Sequence, residues 1–314
     1  MKVGLIGAGN WGKNIARVLN ELGALGGIAE ISPKILAELS LVYPEVPLYE
    51  DYRTLLETDL PGVIIATPAA THFPLAKEAL LCEKHVLVEK PLALSVVEAE
   101  ELVALARKQK RILMVGHLLL YQPAIRWIKD FFDSRSLGRI WSLHQERLNL
   151  GRARPIENAL WSLAVHDVAV LLYLLKLPPE EVRAVGHAML QPDVEDDVHV
   201  HIKFSGSTQA HLHASWLWPE KIRRLTIIGE AGMLVYDEVE QIVVLHRKGI
   251  TPQLTNRDEG TEVVFRNYGE PLRDALTHFL QCIVQGKKPL TDGEASIPVV
   301  KVLEEASRQL EAYR

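Results

Sequence analysis

Residues 2–22 constrain the fold of this chain more than any other stretch. An apolar run at 2–6 leads directly into Gly7-Ala8-Gly9-Asn10-Trp11-Gly12, and helical periodicity follows at 14–22. Strand, glycine turn and helix in that order present backbone N–H groups at the positive end of a helix, where a pyrophosphate can sit. A side chain at Gly9 would block that approach. A second apolar run at 25–29 ends on Glu30, at the distance from the turn where a dinucleotide fold places the acid that bonds the adenosine ribose. An acid repels a 2′-phosphate, and Ile31 and Ser32 after it carry no charge, so the pattern points to NAD rather than NADP.

The alternation then continues. Residues 62–66 read as a buried strand, 72–81 as a helix, 85–88 as a strand and 112–116 as another. Ser95, with Glu98 three residues on, forms a capping box that opens a helix between the last two strands. Strands separated by helices imply a parallel, doubly wound sheet whose ligands bind beyond the carboxyl ends of the strands. Thr67, Pro68, Glu89, Lys90 and His117 fall at those ends.

From about residue 139 the period changes to two, at 139–148, 182–190, 197–204, 208–216 and 222–228, which predicts an antiparallel or mixed sheet. A helical stretch at 159–175 packs on it, and a last helix spans 297–310. With 314 residues the chain exceeds what one core usually supports. The expected division is an N-terminal domain at 1–120 and a second domain at 121–314.

A net charge of −5 offers no general attraction to nucleic acid or to an anionic membrane. Two cysteines, Cys82 and Cys282, without ligand spacing argue against structural zinc and for a reducing compartment. The opening MKVGLIGAGN leaves no room for a signal peptide, and no apolar run reaches membrane-spanning length, so the expected location is the cytoplasm. His199, His201, His211 and His213 alternate on two strands. No carboxylate or cysteine joins them at a fixed spacing, so no metal is expected there, and the pattern reads as a polar sheet face that contacts another subunit. Arg147, Arg152 and Arg154 cluster in one expected loop, and Lys221, Arg223 and Arg224 in another. They are either a solvated basic edge or two arms suited to a diphosphate.

The pieces GAGNWG at 7–12, ATPAATH at 66–72 and KHVLVEKPLALS at 84–95 closely resemble the glucose-fructose oxidoreductase, inositol dehydrogenase and rhizopine catabolism (Gfo/Idh/MocA) superfamily. YQPAIRWIKDFF at 121–132 looks like the connecting helix of that family. QERLNLGRARP at 145–155, LWSLAVHD at 160–167, SWLWPEKIRR at 215–224 and PLTDGE at 289–294 are similar to a narrower branch that oxidises the 3-hydroxyl of nucleotide-linked N-acetyl sugars such as UDP-N-acetylglucosamine.

The resemblance implies an α/β chain, with an N-terminal Rossmann domain and a C-terminal α+β domain built on a large, mainly antiparallel sheet. It implies a nicotinamide cofactor on Gly7, Gly9, Asn10, Trp11, Gly12, Glu30, Thr67, Pro68, His72, Glu89 and Lys90, with Glu89-Lys90-Pro91 closing the nicotinamide end, often through a cis bond before the proline. Lys90 would orient the reacting oxygen, and His166 would accept the alcohol proton, as an imidazole can near neutral pH. Tyr121, Arg147, Asn149, Arg152, Ser162, Asp167 and Lys221 would contact a sugar or nucleotide-sugar. A homodimer or homotetramer would form through the C-terminal sheet.

There is one departure from the family pattern, which has an aspartate four residues before the histidine. Here that place holds Ser162, so the protein either does without the carboxylate or uses Asp167. Two alternatives stay open: a free-sugar or inositol dehydrogenase, and a catalytically silent dinucleotide-binding regulator.

Overall fold

The computed structural model describes residues 1–312 apart from Arg152. Its contacts divide the chain into two compact units. The first contains β1 (Val3–Ile6), α1 (Gly12–Glu21), β2 (Leu25–Ala29), α2 (Pro33–Val42), β3 (Leu48–Tyr49), α3 (Tyr52–Leu56), β4 (Gly62–Ile65), α4 (His72–Leu81), β5 (His85–Val88), α5 (Val96–Gln109) and β6 (Leu113–Val115). All six strands are parallel, in the order β3-β2-β1-β4-β5-β6. That is the Rossmann order, and its direction reverses beside β1, which opens a crevice at the carboxyl ends of β1 and β4. Val3, Leu5, Val63, Ile64, Ile65, Val86 and Val88 are fully buried. Helices cover both faces of a parallel sheet, so its strands read as continuous apolar runs instead of alternating ones. Ser95 caps α5 as its sequence predicts, its hydroxyl accepting from the Glu98 amide at 3.2 Å.

The second unit contains α6 (Pro123–Asp133), β7 (Ile140–Leu148), a π-helical turn at Leu160–Ala164, α7 (Val165–Leu175), β8 (Pro179–His187), β9 (Asp197–Phe204), β10 (Gln209–Ser215), β11 (Ile222–Gly229), β12 (Met233–Asp237), β13 (Ile242–Ile250) and β14 (Asn256–Arg266). One sheet joins the eight strands in the order β14-β13-β12-β11-β7-β10-β9-β8, with β7 and β10 parallel and every other pair antiparallel. Three strands, β12 to β14, lie beyond the five expected. β14 gives little period-two signal because its NRDEGTEVVFR sequence is mostly exposed. On β9, Val198, Val200, Ile202 and Phe204 are buried. Asp197, His199, His201 and Lys203 therefore occupy the opposite face.

The chain then continues through α8 (Pro271–Gln285) and α9 (Gly293–Ala312). Glu270–Val300 clusters with the first unit, whereas the sequence reading assigned everything after residue 120 to the second. β6 is an edge strand with backbone groups to satisfy. Thr291 satisfies them: its carbonyl accepts from the Val115 amide at 2.8 Å, and its hydroxyl donates to the Val115 carbonyl at 2.7 Å. No helix among the described residues is long and apolar enough to cross a membrane.

Candidate active-site residues

In the first unit the glycine turn is built from three glycines with different duties. Gly7 has a φ of 87°, and a Cβ there would lie 2.7 Å from the Thr67 methyl group. A Cβ on Gly12 would lie 2.1 Å from the Gly7 carbonyl oxygen. Both glycines are demanded by the closure of the turn itself. A Cβ on Gly9 would meet no protein atom within 4 Å, so it would project into open space over the turn. α1 begins without a side-chain cap or an acidic residue in its first turn, which leaves its amides to an anion. These residues fit a dinucleotide pyrophosphate.

Glu30 is nearly buried and accepts hydrogen bonds from the amides of Ala8 at 2.8 Å and Ser32 at 3.0 Å. It ties the turn to the end of β2. Each oxygen of a carboxylate has two lone pairs, which leaves capacity for ribose hydroxyls. Asn10 and Trp11 are exposed on the turn. The Trp11 indole donates to Glu89 Oε1 at 2.7 Å. Gly116 makes room for that carboxylate, since a Cβ there would lie 3.0 Å from it. Burial pushes the Glu89 carboxyl up, against the Trp11 hydrogen bond and the Lys90 charge, which pull it down.

Lys90 follows, half-buried, and its peptide bond to Pro91 is cis. Thr67 and Pro68 sit at the end of β4, with Pro68 exposed. His72 is buried, with Nδ1 2.7 Å from the Pro91 carbonyl oxygen and Nε2 2.9 Å from that of Thr67. Contacts to these two carbonyls, only one of which a neutral imidazole can donate to, place His72 between the loops after β4 and β5.

His117 received no role from the sequence beyond its place at a strand end. It is buried, with Nε2 3.2 Å from Ser296 Oγ, and no described residue partners its Nδ1. Burial, aided by the Lys90 charge, lowers it to about 4, so the ring beside this lysine is neutral at pH 7. A cavity of about 320 Å³ in this unit lies elsewhere, at the amino ends of β5 and β6 among His85, Arg107, Arg111, Lys287 and Lys288. Ligands of doubly wound sheets bind at the opposite edge.

The second unit corrects several expectations. Arg147 lies on β7, not in a loop, and is buried. Its Nε donates to Asp167 at 2.9 and 3.0 Å, and its Nη2 lies 2.8 Å from Asp167 and 2.9 Å from Glu238. Burial opposes its charge, and the two carboxylates more than offset this, so the guanidinium stays protonated. Arg147 and Asp167 thus neutralise each other, with Gln145 donating to Asp167 at 3.3 Å. A gap of only about 10 Å³ is left among Gln145, Arg147, Asp167, Arg223, Tyr236 and Glu238, far too small for a sugar. Arg223, also on a strand, donates to the carbonyls of Leu148 and Ile222 at 3.0 Å and to Asn149 Oδ1 at 2.6 Å. Of the two expected basic arms, Lys221 and Arg224 are exposed, Arg154 pairs with Glu157, and Arg152 lies outside the described residues.

Tyr121 is buried, with the Arg126 guanidinium 5.2 Å from its ring centroid. Ser162 is buried in the π-helical turn and donates to the Asn158 carbonyl at 2.8 Å. His166, half-buried, stands in the first turn of α7 immediately after it. Single π turns recur at functional sites. The histidine pattern on β9 and β10 needs a further correction, because Asp197 does join it. Asp197 lies two residues before His199 on the same face, and its carboxylate meets the His213 ring at 3.0 Å.

Residues 1–117 match the model of an oxidoreductase family with an NAD-binding Rossmann fold, and residues 125–235 match the Gfo/Idh/MocA C-terminal domain. The chain is 28% identical to UDP-N-acetylglucosamine 3-dehydrogenase of Acidithiobacillus ferrooxidans, over 100% of this chain and 98% of that enzyme. A solved structure of that enzyme superposes with a TM-score of 0.88. A protein from Magnetospirillum magnetotacticum MS-1 superposes with a TM-score of 0.84 at 33% identity, over 97% of this chain and 99% of that one. Inositol 2-dehydrogenase of Salmonella typhimurium is 25% identical over 56% of this chain and 54% of that enzyme.

Proposed function

The chain belongs to the Gfo/Idh/MocA oxidoreductases, and from that membership we propose that it moves a hydride between NAD and the carbon bearing the 3-hydroxyl of a UDP-linked N-acetyl sugar. The observation that supports the sugar assignment is the 28% end-to-end identity to a UDP-N-acetylglucosamine 3-dehydrogenase, against 22% end to end for one myo-inositol dehydrogenase and 25% over about half the chain for another inositol dehydrogenase.

In this reading the open space over Gly9 and the uncapped start of α1 receive the pyrophosphate, and Glu30 accepts from the ribose hydroxyls. When bound, the nicotinamide supplies the hydride acceptor or donor. Lys90 holds the reacting oxygen and stabilises the charge that develops on it, while His166 takes the proton. Trp11 anchors Glu89 in the space that Gly116 leaves, and Glu89 in turn accepts from the Lys90 amide at 3.3 Å. Glu30, followed by the uncharged Ile31 and Ser32, favours NAD over NADP because its carboxylate would repel a 2′-phosphate.

A second reading, a free sugar or polyol as substrate, is favoured by one observation. Arg147 and Arg223 are committed to internal partners, which leaves fewer cations for a diphosphate.

A panel experiment separates the two readings. The protein is incubated with NAD and UDP-N-acetylglucosamine, UDP-N-acetylgalactosamine, N-acetylglucosamine or myo-inositol, and NADH absorbance is followed, with the reverse direction run from a keto acceptor. Turnover restricted to the UDP-sugars is expected, with Lys90→Met and His166→Asn each slower by a factor on the order of 10² while still binding NAD. Turnover of the free sugars alone establishes the second reading, and silence in both directions indicates a dinucleotide-binding regulator.

A further inference from the structure

β9 and β10 carry a side-chain constellation that hydride transfer does not use. Asp197 and His199 stand two residues apart on β9 and so share one face, and the antiparallel register sets His199 opposite His213 on β10. His213 Nε2 lies 3.0 and 3.1 Å from the two Asp197 oxygens, and His199 Nε2 lies 3.5 Å from Oδ1. One ligand atom from each residue falls within 4.8 Å of the other two. A tetrahedral ion with bonds of 2.0–2.1 Å separates its ligand atoms by about 3.3 Å, so the two histidine-to-aspartate spacings already approximate two edges of such a coordination sphere.

The geometry points to a binding site for a single divalent transition-metal ion of the zinc class, held by Asp197, His199 and His213, that clamps β9 to β10. Two imidazoles and one carboxylate are a ligand set suited to zinc, cobalt(II) or nickel. Trp218 packs edge-on against His213 at 5.3 Å, and the exposed His199 ring, stacked on His213 with centroids 3.9 Å apart and 17° between planes, must turn out of that stack to aim Nε2 at a shared ion. Ser215 stands directly opposite Asp197 in the antiparallel register, on the same face of the sheet. The His199 side chain is 55% exposed, so an ion can enter from solvent, and three protein ligands leave a fourth position for water. The site lies wholly in the second unit and does not depend on the reading of the activity.

The test uses tag-free, full-length protein dialysed against a chelator, then titrated with cobalt(II) followed by zinc at neutral pH. One cobalt ion per chain is expected, with the visible absorption bands of a low-coordinate site that zinc abolishes. His199→Ala, at an exposed position, and Asp197→Asn should each weaken binding by at least about tenfold. His144→Gln, on the same face but outside the trio, should leave it unchanged, and far-UV circular dichroism shows whether each variant is folded. Absence of saturable binding by the folded wild-type protein overturns the proposal. So does binding that survives both substitutions, or binding that depends on His144 instead.

Discussion

At the scale of single residues, the chemistry depends on which charges are compensated and where. His117 gives a test by pH. Its ring is buried and its pKa lowered to about 4 by burial and by the Lys90 charge, whereas in the unfolded chain it returns to about 6.5. Between those values the unfolded state binds more protons than the folded one, so stability is full above about 6.5 and falls as pH drops toward 4. The contribution at stake is about 3 kcal/mol. In urea unfolding, His117→Gln should remove most of that acid-side slope, and an unchanged slope would show that other groups set it. His117 was legible as a strand-end residue, but its burial was not, because Ser296 reaches it from the far end of the sequence. Arg147 and Asp167 were legible as charges, but their pairing with each other was not. Nothing in the spacing of an arginine on a strand and an aspartate on a helix says that they will meet. The Asp197 contact, by contrast, was open to the period-two rule applied to the histidines beside it.

At the scale of elements, the glycine turn separates two kinds of necessity. A methyl group at Gly9 enters open space, whereas one at Gly12 collides with the Gly7 carbonyl. Gly9→Ala should therefore keep the melting temperature within about 2 °C of wild type, a surface-scale change, while weakening NAD at least tenfold in a fluorescence titration. Gly12→Ala should lower both stability and affinity, because the first turn of α1 must move. Equal destabilisation by the two substitutions would mean that Gly9 is required by the fold and not by a ligand. The helices and strands of the first unit were readable because each is a short buried run punctuated by turn residues and caps. β12 to β14 were harder to read, since β14 buries no continuous face and so gives little periodicity.

At the scale of the molecule, the first unit is assembled from two distant stretches of chain, because Glu270–Val300 clusters with residues 1–118. Leu276, Phe279 and Val299 of that later stretch are buried. Side chains of this class contribute about 1.5–3 kcal/mol each, a large part of a typical domain stability of about 5–15 kcal/mol. A fragment of residues 1–118 should consequently lack a cooperative thermal transition, and joining residues 270–300 to it through a flexible linker should restore one. A fully cooperative 1–118 fragment would show that the later stretch is accessory.

The sequence by itself determined the succession of strand, turn and helix, the acid at the end of β2, and the chemical types gathered at the strand ends, because periodicity and turn chemistry act between residues close along the chain. Tertiary structure alone decided that Arg147 and Asp167 neutralise each other, that His72 lies between two loops, and that Thr291 closes the edge of β6. Such pairings depend on sheet register and on which segments fold back together, and low-dielectric burial then fixes how strongly each buried charge is held.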